Sequence, residues 1–130
     1  MSRHSHHWTM ADYYALLARR SQAADSVMGG TPIPELPEKT LLEHIRALAR
    51  RHGWLCYHTH DSRGSEPGFP DVLLCKPGRL IFAEVKRQQG KLTREQAQWL
   101  DMLGHTISGV EIYVWRPSDL ESVHTILTQR

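Results

Sequence analysis

Three charged residues stand at the ends of apolar runs in the stretch GFPDVLLCKPGRLIFAEVK. Asp71 opens the first run, and Glu84 and Lys86 close the second. Charged groups at the ends of buried strands lower stability unless they are paired or bind a metal. Asp71, Glu84 and Lys86 are therefore candidates for a shared metal or catalytic site.

Two neighbouring carboxylates with a lysine beside them are suited to metal-assisted hydrolysis. Asp71 and Glu84 would repel each other at short range, so a hard divalent cation would stabilise the pair. Mg²⁺ fits a site with so few carboxylates, and the backbone carbonyl of Val85 is a possible further ligand. The ion would lower the pKa of a coordinated water and neutralise charge on a phosphate, while Lys86 could orient or deprotonate the water. The pattern predicts hydrolysis of a phosphodiester.

A β-hairpin would bring these charges together. Side chains alternate along a strand, so Glu84 and Lys86 project from one face of the second apolar run. The tetrapeptide at 76–79, KPGR, has the composition of a tight turn. A near-symmetric hairpin around it would place Asp71 opposite residue 84, 85 or 86, at one end of the sheet.

Other segments supply the elements on either side of the hairpin. Apolar residues at helical spacing predict a helix over 37–53, and residues 54–60 have the apolar and aromatic composition of a strand. Thr93 and Gln96 form a capping-box pattern at the start of a helix predicted over 93–104.

The order helix, three strands, helix, strand, helix predicts an α/β fold. A strand at 110–115 is followed by a last short helix, LESVHTILTQ, with Ser118 or Asp119 as its cap. A strand, helix, strand passage requires a right-handed crossover, which predicts a mixed four-stranded sheet with helices on both faces. Residues 1–36 are predicted to be an N-terminal helical arm with a glycine- and proline-rich linker, and 37–130 the domain itself.

Composition restricts the class of protein. The chain has 130 residues, 40% of them hydrophobic, which suits one domain with a core. The net charge is only +2, so the protein has no large excess of basic residues. Binding to nucleic acid would therefore depend on local clusters of basic residues. Cys56 and Cys75 match no metal-ligand spacing and are interpreted as buried free thiols. No run approaches the about 20 apolar residues of a membrane span, and the N-terminus lacks a signal-peptide core, so we expect a cytoplasmic protein with no membrane partner.

The motifs and their order resemble the VRR-NUC family of the PD-(D/E)XK nuclease superfamily, in the small stand-alone form of phages and bacteria. The resemblance covers roughly residues 38 to 128 and implies a restriction-endonuclease-like core. It is carried by the strings SRGS (62–65), GFPD (68–71), FAEVK (82–86), LTREQAQWL (92–100) and YVWRP (113–117).

The resemblance implies a role for each matching residue. Asp71 and Glu84 would be metal ligands, Lys86 the catalytic lysine, and Gln96 a residue that contacts water or phosphate. The cofactor would be Mg²⁺, for which Mn²⁺ can substitute, and no organic cofactor is implied.

An acidic residue on the first core helix often completes the site in this superfamily. Glu43 is the matching candidate for that role, and Glu38 is the alternative. Glu43 also has a simpler interpretation, because the arginines on the same helix could pair with it at the surface.

Family members cut branched or flapped DNA, and the stand-alone members resemble Holliday junction resolvases that act as homodimers. The resemblance therefore implies an endodeoxyribonuclease selective for four-way junctions, in a bacterial or phage-infected cytoplasm. Its dimer could form through Trp99 and Met102 on the 93–103 helix. We expect no counterpart of the large accessory domains of the eukaryotic relatives, so their flap and crosslink specificity is not transferred. The alternatives are a less selective DNA nuclease and a DNA-binding module without catalysis.

Basic residues on both sides of the proposed site are candidates for contacts to the DNA backbone. Arg63 precedes the site, Arg87, Lys91 and Arg94 follow it, and His58 lies on the neighbouring predicted strand. The simpler interpretation of these cations is an ordinary solvated face.

Simpler interpretations also exist for the site itself. Asp71, Glu84 and Lys86 could be an ion-pair cluster at a sheet edge, and Gln96 could serve only as the capping-box residue. A zinc site is not expected, because no carboxylate or cysteine completes a set with the clustered histidines His4, His6 and His7.

Overall fold

A computed structural model describes residues 36–59, 64–106 and 108–129 of the chain. The predicted order of elements is confirmed within these ranges, whereas the predicted arm helix and most of its linker lie outside them. The elements are α1 (Glu38–Arg51), β1 (Leu55–His58), β2 (Val72–Lys76), β3 (Arg79–Val85), α2 (Arg94–Thr106), β4 (Glu111–Trp115), a 3₁₀ helix (Pro117–Asp119) and α3 (Leu120–Thr128).

The four strands form one mixed sheet in the order β1-β2-β3-β4. The first two pairs are antiparallel, and β3 and β4 are parallel. In the hairpin Val72 pairs with Ala83 and Lys76 pairs with Arg79, so the turn consists of two residues, Pro77 and Gly78. The near-symmetric hairpin and the mixed sheet are both confirmed, and the architecture agrees with a restriction-endonuclease-like core.

The main core lies between one face of the sheet and the helices α1 and α3. Residues two apart on β2 and β3 point to this face, which is the period-2 pattern of strands. Trp54 closes one side of the core, where its indole Nε1 donates to the carbonyl of Leu127 over 2.9 Å. The fully buried members of this core include Leu41, Ile45, Val72, Leu74, Ile81, Ala83, Leu120, Val123 and Leu127.

Helix α2 covers the other face of the sheet over β3 and β4. Its capping box is present, because Gln96 N donates to Thr93 Oγ1 over 3.1 Å and Thr93 N donates to Gln96 Oε1 over 2.8 Å. The predicted stop at Gly104 was wrong, since the helix continues to Thr106. The backbone explains the difference: Gly104 does not have the positive φ of a glycine that ends a helix, and a Cβ there would make only an ordinary contact of 3.5 Å with Ile112 Cγ1.

The first strand begins one residue later than predicted, and beyond its last residue the Thr59 N–H still donates to the carbonyl of Asp71 over 3.1 Å. Strand β1 begins at Leu55, after the buried Trp54, and its paired region ends at His58. Both cysteines are free, and both are half-buried rather than fully buried. None of the helices in the described part of the chain has the length and apolar character to cross a membrane.

Candidate active site

Asp71 and Glu84 meet at one end of the β2-β3 hairpin. The register pairs Val72 with Ala83, so the next position on each strand brings Asp71 beside Glu84. The backbone N–H of Val85 donates to Asp71 Oδ2 over 2.9 Å, which fixes the Asp71 carboxylate against β3. The convergence that the alternation and turn predicted is therefore present.

Glu84 carries its carboxyl group into a nearly closed environment. The residue is 2% exposed, its Oε1 accepts from the side-chain amide of Gln96 over 2.9 Å, and its Oε2 is buried without a donor among the described residues. Burial, the charge of Asp71 and a hydrogen bond to Asp71 raise the pKa of Glu84 to about 8, while the nearby Lys86 acts in the opposite direction.

Lys86 lies on the same strand face as Glu84. Its backbone N–H donates to the carbonyl of Trp115 over 3.0 Å, which extends the β3-β4 pairing by one position beyond the end of β3. Alternation then directs the Lys86 and Glu84 side chains to the same side of the sheet. Lys86 is only 9% exposed, and its charge is near enough to act on the Glu84 carboxyl group.

The residues at this point fit a hard divalent cation. A buried carboxylate oxygen without a donor lowers stability unless another positive group neutralises it, and Glu84 Oε2 is such an atom. Within the described ranges, no group of three or more His, Cys, Asp and Glu residues could hold a metal ion. Two carboxylates, supplemented by backbone or water oxygens, are a donor set of the kind that hard divalent cations accept.

The Val85 backbone is placed to add an oxygen. The N–H and C=O groups of one strand residue point toward the same side of the strand. Since the Val85 N–H points to Asp71, its carbonyl is directed to the side of the strand on which the carboxylates meet. The role of Val85 as a ligand stays a prediction.

A cavity of about 290 Å³ opens over the two carboxylates. Its other walls come from Gln96 at the start of α2, from Thr59 after β1 and from the loop 65–69. The cavity therefore gives a molecule from solution access to Asp71 and Glu84 between a helix end and a loop.

The loop wall is fixed by contacts that sequence analysis missed. A Cβ at Gly68 would overlap the backbone of Glu95, so the loop lies directly on the first turn of α2. Trp99 Nε1 donates to the carbonyl of Pro67 over 3.1 Å, and the Trp99 ring makes an edge contact with Phe69. The string GFPD contained the signal for a tight approach, but nothing in it identified α2 as the neighbour.

The structure separates the two acidic candidates on α1. Glu38, the alternative, lies in the first helical turn, where its Oε1 accepts from the backbone N–H of Arg87 over 3.4 Å. This contact places Glu38 next to the residue that follows Lys86. Glu43, the preferred candidate of the sequence analysis, is exposed, and among the described residues no hydrogen bond connects it to the site.

The candidate DNA contacts are distributed unevenly. Arg87, Lys91 and Arg94 are exposed on the segment that leads from Lys86 into α2. His58 pairs with Val72 and so shares the core face of the sheet, opposite to the face of the carboxylates. The structure does not bring His58 to the site, and Arg63 lies outside the described residues.

Comparison with known proteins gives one match. A family model described as the VRR-NUC domain matches residues 12–118, which is more than half of the chain. The match begins within the predicted arm, and the domain boundary at residue 37 stays a prediction. No curated protein and no solved structure matches the chain.

Proposed function

The chain belongs to the VRR-NUC family of nuclease domains, and from this membership we propose that it is a divalent-metal-dependent endodeoxyribonuclease. The observation that carries the proposal is the pairing of Asp71 with the buried Glu84, whose Oε2 lacks a donor among the described residues. An arrangement of this kind is unfavourable without a cation and suited to one. The product ends would be a 5′-phosphate and a 3′-hydroxyl.

Asp71, Glu84 and the Val85 carbonyl would hold the ion, with Mg²⁺ as the resident cation and Mn²⁺ as a substitute. When bound, the ion supplies Lewis-acid activation of water and neutralises charge on the phosphate. Gln96 fixes one oxygen of Glu84 by its amide, which leaves Oε2 for the ion. Gln96 also lines the cavity that would receive the phosphate.

Lys86 would act directly on the attacking water or the phosphate. Its amine is held inside the protein beside Glu84, where it can orient a water or offset phosphate charge. Glu38 is placed close to this region by its contact with Arg87, and we favour it over Glu43 as the acidic residue of α1 that supports the site.

DNA would approach across the segment after Lys86. Arg87, Lys91 and Arg94 are exposed there and would contact backbone phosphates, which carry no base sequence. Such contacts favour recognition of DNA shape. We propose branched DNA, above all the four-way junction, as the substrate.

A homodimer would place two such sites on one junction. Helix α2 leaves the β1 end of its sheet face uncovered, and Leu55 is 76% and Tyr57 63% exposed there. Met102, on α2 at the same side of the sheet, is 58% exposed and lines an apolar pocket with Trp99. Exposed apolar residues concentrated on one side of a domain are typical of an interface, and a two-fold axis would relate the two cuts.

A cleavage panel tests the proposal. Labelled four-way junction, flap, duplex and single-stranded DNA of one sequence are incubated with the protein in Mg²⁺, in Mn²⁺ and in EDTA. We expect cleavage in either metal, none in EDTA, and the fastest rate on the junction. Equal rates on all substrates would contradict the junction preference, and undiminished cleavage in EDTA would contradict the metal dependence.

Matched variants connect that activity to the site. Glu84→Gln removes the charge and keeps the size, and we expect it to abolish metal-dependent cleavage. Glu121→Gln makes the same chemical change at an exposed position on α3, on the other side of the sheet, and should cleave at the wild-type rate.

A further inference from the structure

We infer that Gln88, Arg116 and Ser118 form a clamp that positions the Lys86 amine. The inference rests on the proposed function, because positioning matters for a residue that acts on substrate. The clamp joins the turn at 87–90, directly after Lys86, to the segment that follows β4.

The turn at 87–90 supports the Lys86 side chain. It is closed by a hydrogen bond from Gly90 N to Arg87 O over 3.0 Å. A Cβ built on Gly90 would lie 3.6 Å from Lys86 Cδ, so the aliphatic stem of Lys86 lies beside this turn. A displacement of the turn would therefore change the position of the amine.

Gln88 ties the turn to Ser118 by two reciprocal hydrogen bonds. The Gln88 side-chain amide donates to Ser118 Oγ over 3.1 Å, and Ser118 N donates to Gln88 Oε1 over 3.0 Å. A two-point contact of this kind fixes the side-chain orientation as well as the distance. The amide of Gln88 is thus fully engaged with one residue that lies 30 positions away in sequence.

Arg116 provides a second, charged attachment. Its Nη2 donates to the carbonyl of Gly90 over 2.7 Å. The backbone of Arg116 is itself held, because its N–H donates to Asp119 Oδ2 over 2.9 Å. The turn is therefore fastened at both its second and its last residue to a segment with fixed local geometry.

The contacts form a closed circuit around Lys86. The Lys86 backbone is bonded to Trp115, and the turn after Lys86 is bonded to Arg116 and Ser118, which follow Trp115 closely. The backbone of Lys86 and the turn beside its side chain are therefore both held by the same short segment, 115–118. Because misplacement of a reacting group by about 1 Å costs up to about 100-fold in rate, this circuit is expected to affect catalysis.

Kinetics of two clamp variants test the inference. Gln88→Ala should lower kcat about tenfold, since the amine is misplaced. KM should change less than about twofold, because Lys91 and Arg94 lie outside the turn and keep their contacts to DNA. Arg116→Gln should act in the same direction. Gln89→Ala is the matched control, because Gln89 is the exposed neighbour in the same turn and makes no hydrogen bond among the described residues. A rise in KM alone in the clamp variants would assign these residues to DNA binding and overturn the inference.

An NMR measurement of Lys86 side-chain motion tests the clamp independently of activity. The chain has four lysines, so ¹³Cε-lysine labelling gives few resonances, and the one lost in Lys86→Arg belongs to Lys86. In the wild type we expect restricted side-chain motion at this resonance, and in Gln88→Ala and Arg116→Gln we expect motion like that of the exposed lysines. An unchanged Lys86 resonance in both variants, or the same change in Gln89→Ala, would overturn the inference. A wild-type protein that cut no DNA would contradict the proposed function, while the lysine resonance would still decide the clamp.

Discussion

The side chain of Gln96 connects Glu84 to the start of helix α2. Its amide nitrogen lies 2.9 Å from Glu84 Oε1, and its carbonyl oxygen accepts from the N–H of Thr93 over 2.8 Å. One residue thus caps the helix and orients a carboxylate of the candidate metal site. The orientation of that carboxylate is therefore coupled to the capping of α2.

This coupling predicts different outcomes for two substitutions of Gln96. Gln96→Ala removes both contacts and should lower the free energy of unfolding by about 1–2 kcal/mol. Gln96→Glu keeps an acceptor for Thr93 N–H, so its cap should persist, but it places a third carboxyl group beside Glu84 and removes the donor. We expect Gln96→Glu to lose most activity. In urea with Mg²⁺ present, where the cation offsets the added carboxylate, it should be more stable than Gln96→Ala because its cap persists. An equal loss of stability in both variants would show that the cap contact with Thr93 does not contribute to stability independently of the contact with Glu84.

The raised pKa of Glu84 predicts how stability depends on pH. Its pKa is about 8 in the folded protein against 4.5 as the ordinary value, so between these values the folded state binds more protons than the unfolded chain. The free energy of unfolding must then fall as pH rises through this window. Glu84→Gln lacks this ionisation. Without divalent ions, its free energy of unfolding should therefore fall less than that of the wild type as pH rises through the window, and the two decreases should differ by more than about 1 kcal/mol.

Urea unfolding in EDTA at several pH values between the two pKa values measures this difference. Titrating groups far from the site affect both proteins alike, so the difference between the two curves reports on Glu84 together with the charges beside it. Addition of Mg²⁺ at the upper end of this pH range should stabilise the wild type and leave the stability of Glu84→Gln nearly unchanged. The ion would replace the proton that the Asp71–Glu84 pair otherwise retains. Parallel pH curves for the two proteins would show that Glu84 ionises normally.

Gly68 predicts a steric effect on the wall of the cavity. Its φ is +88°, and a Cβ would overlap the backbone of Glu95, so Gly68→Ala should cost more than about 2 kcal/mol and push the loop from α2. Gly64 has a similar φ of +85°, and within the described ranges no atom lies within 4 Å of a Cβ built on it, so Gly64→Ala should cost only about 1 kcal/mol of backbone strain. Thermal unfolding of the two variants measures the difference. Equal costs would contradict the close contact between loop and helix.

The apolar side of the sheet predicts the oligomeric state. We expect the wild type to be a dimer by light scattering, and Tyr57→Asp to shift it toward monomer, since a charge would enter the interface. Ser122→Asp adds the same charge at an exposed position of α3 on the opposite face and should leave the dimer intact. A monomeric wild type at all accessible concentrations would refute the dimer.

Sequence periodicity was sufficient for the parts of the site that depend on local geometry. The alternation in residues 80–86 and the short turn at 76–79 determined that Asp71 and Glu84 meet, and the capping box placed Gln96 at a helix start. These features depend on the alternation of residues along a strand and on the length of a turn, and both can be recognised in the sequence alone.

The parts that sequence reasoning missed depend on distant partners. It named Glu43 before Glu38 without access to the tertiary contact that brings the start of α1 to Arg87, and the role of either residue stays a prediction. It grouped His58 with the site, because it placed the strand next to the hairpin without its register, and a shift of one residue exchanges the faces. The contacts of Gln88 with Ser118 and of Gly68 with Glu95 were likewise invisible, since neither residue type indicates its partner.

The most direct measurement for the central claim is the single-turnover rate of Mg²⁺-dependent junction cleavage by Asp71→Asn relative to the wild type. The asparagine side chain keeps an oxygen that can accept from Val85 N–H, so the fold should be retained, while the charge that holds the cation is lost. We predict a rate at least about 100-fold lower, with normal unfolding in urea. A folded Asp71→Asn protein that cleaves at the wild-type rate would contradict the assignment of this site.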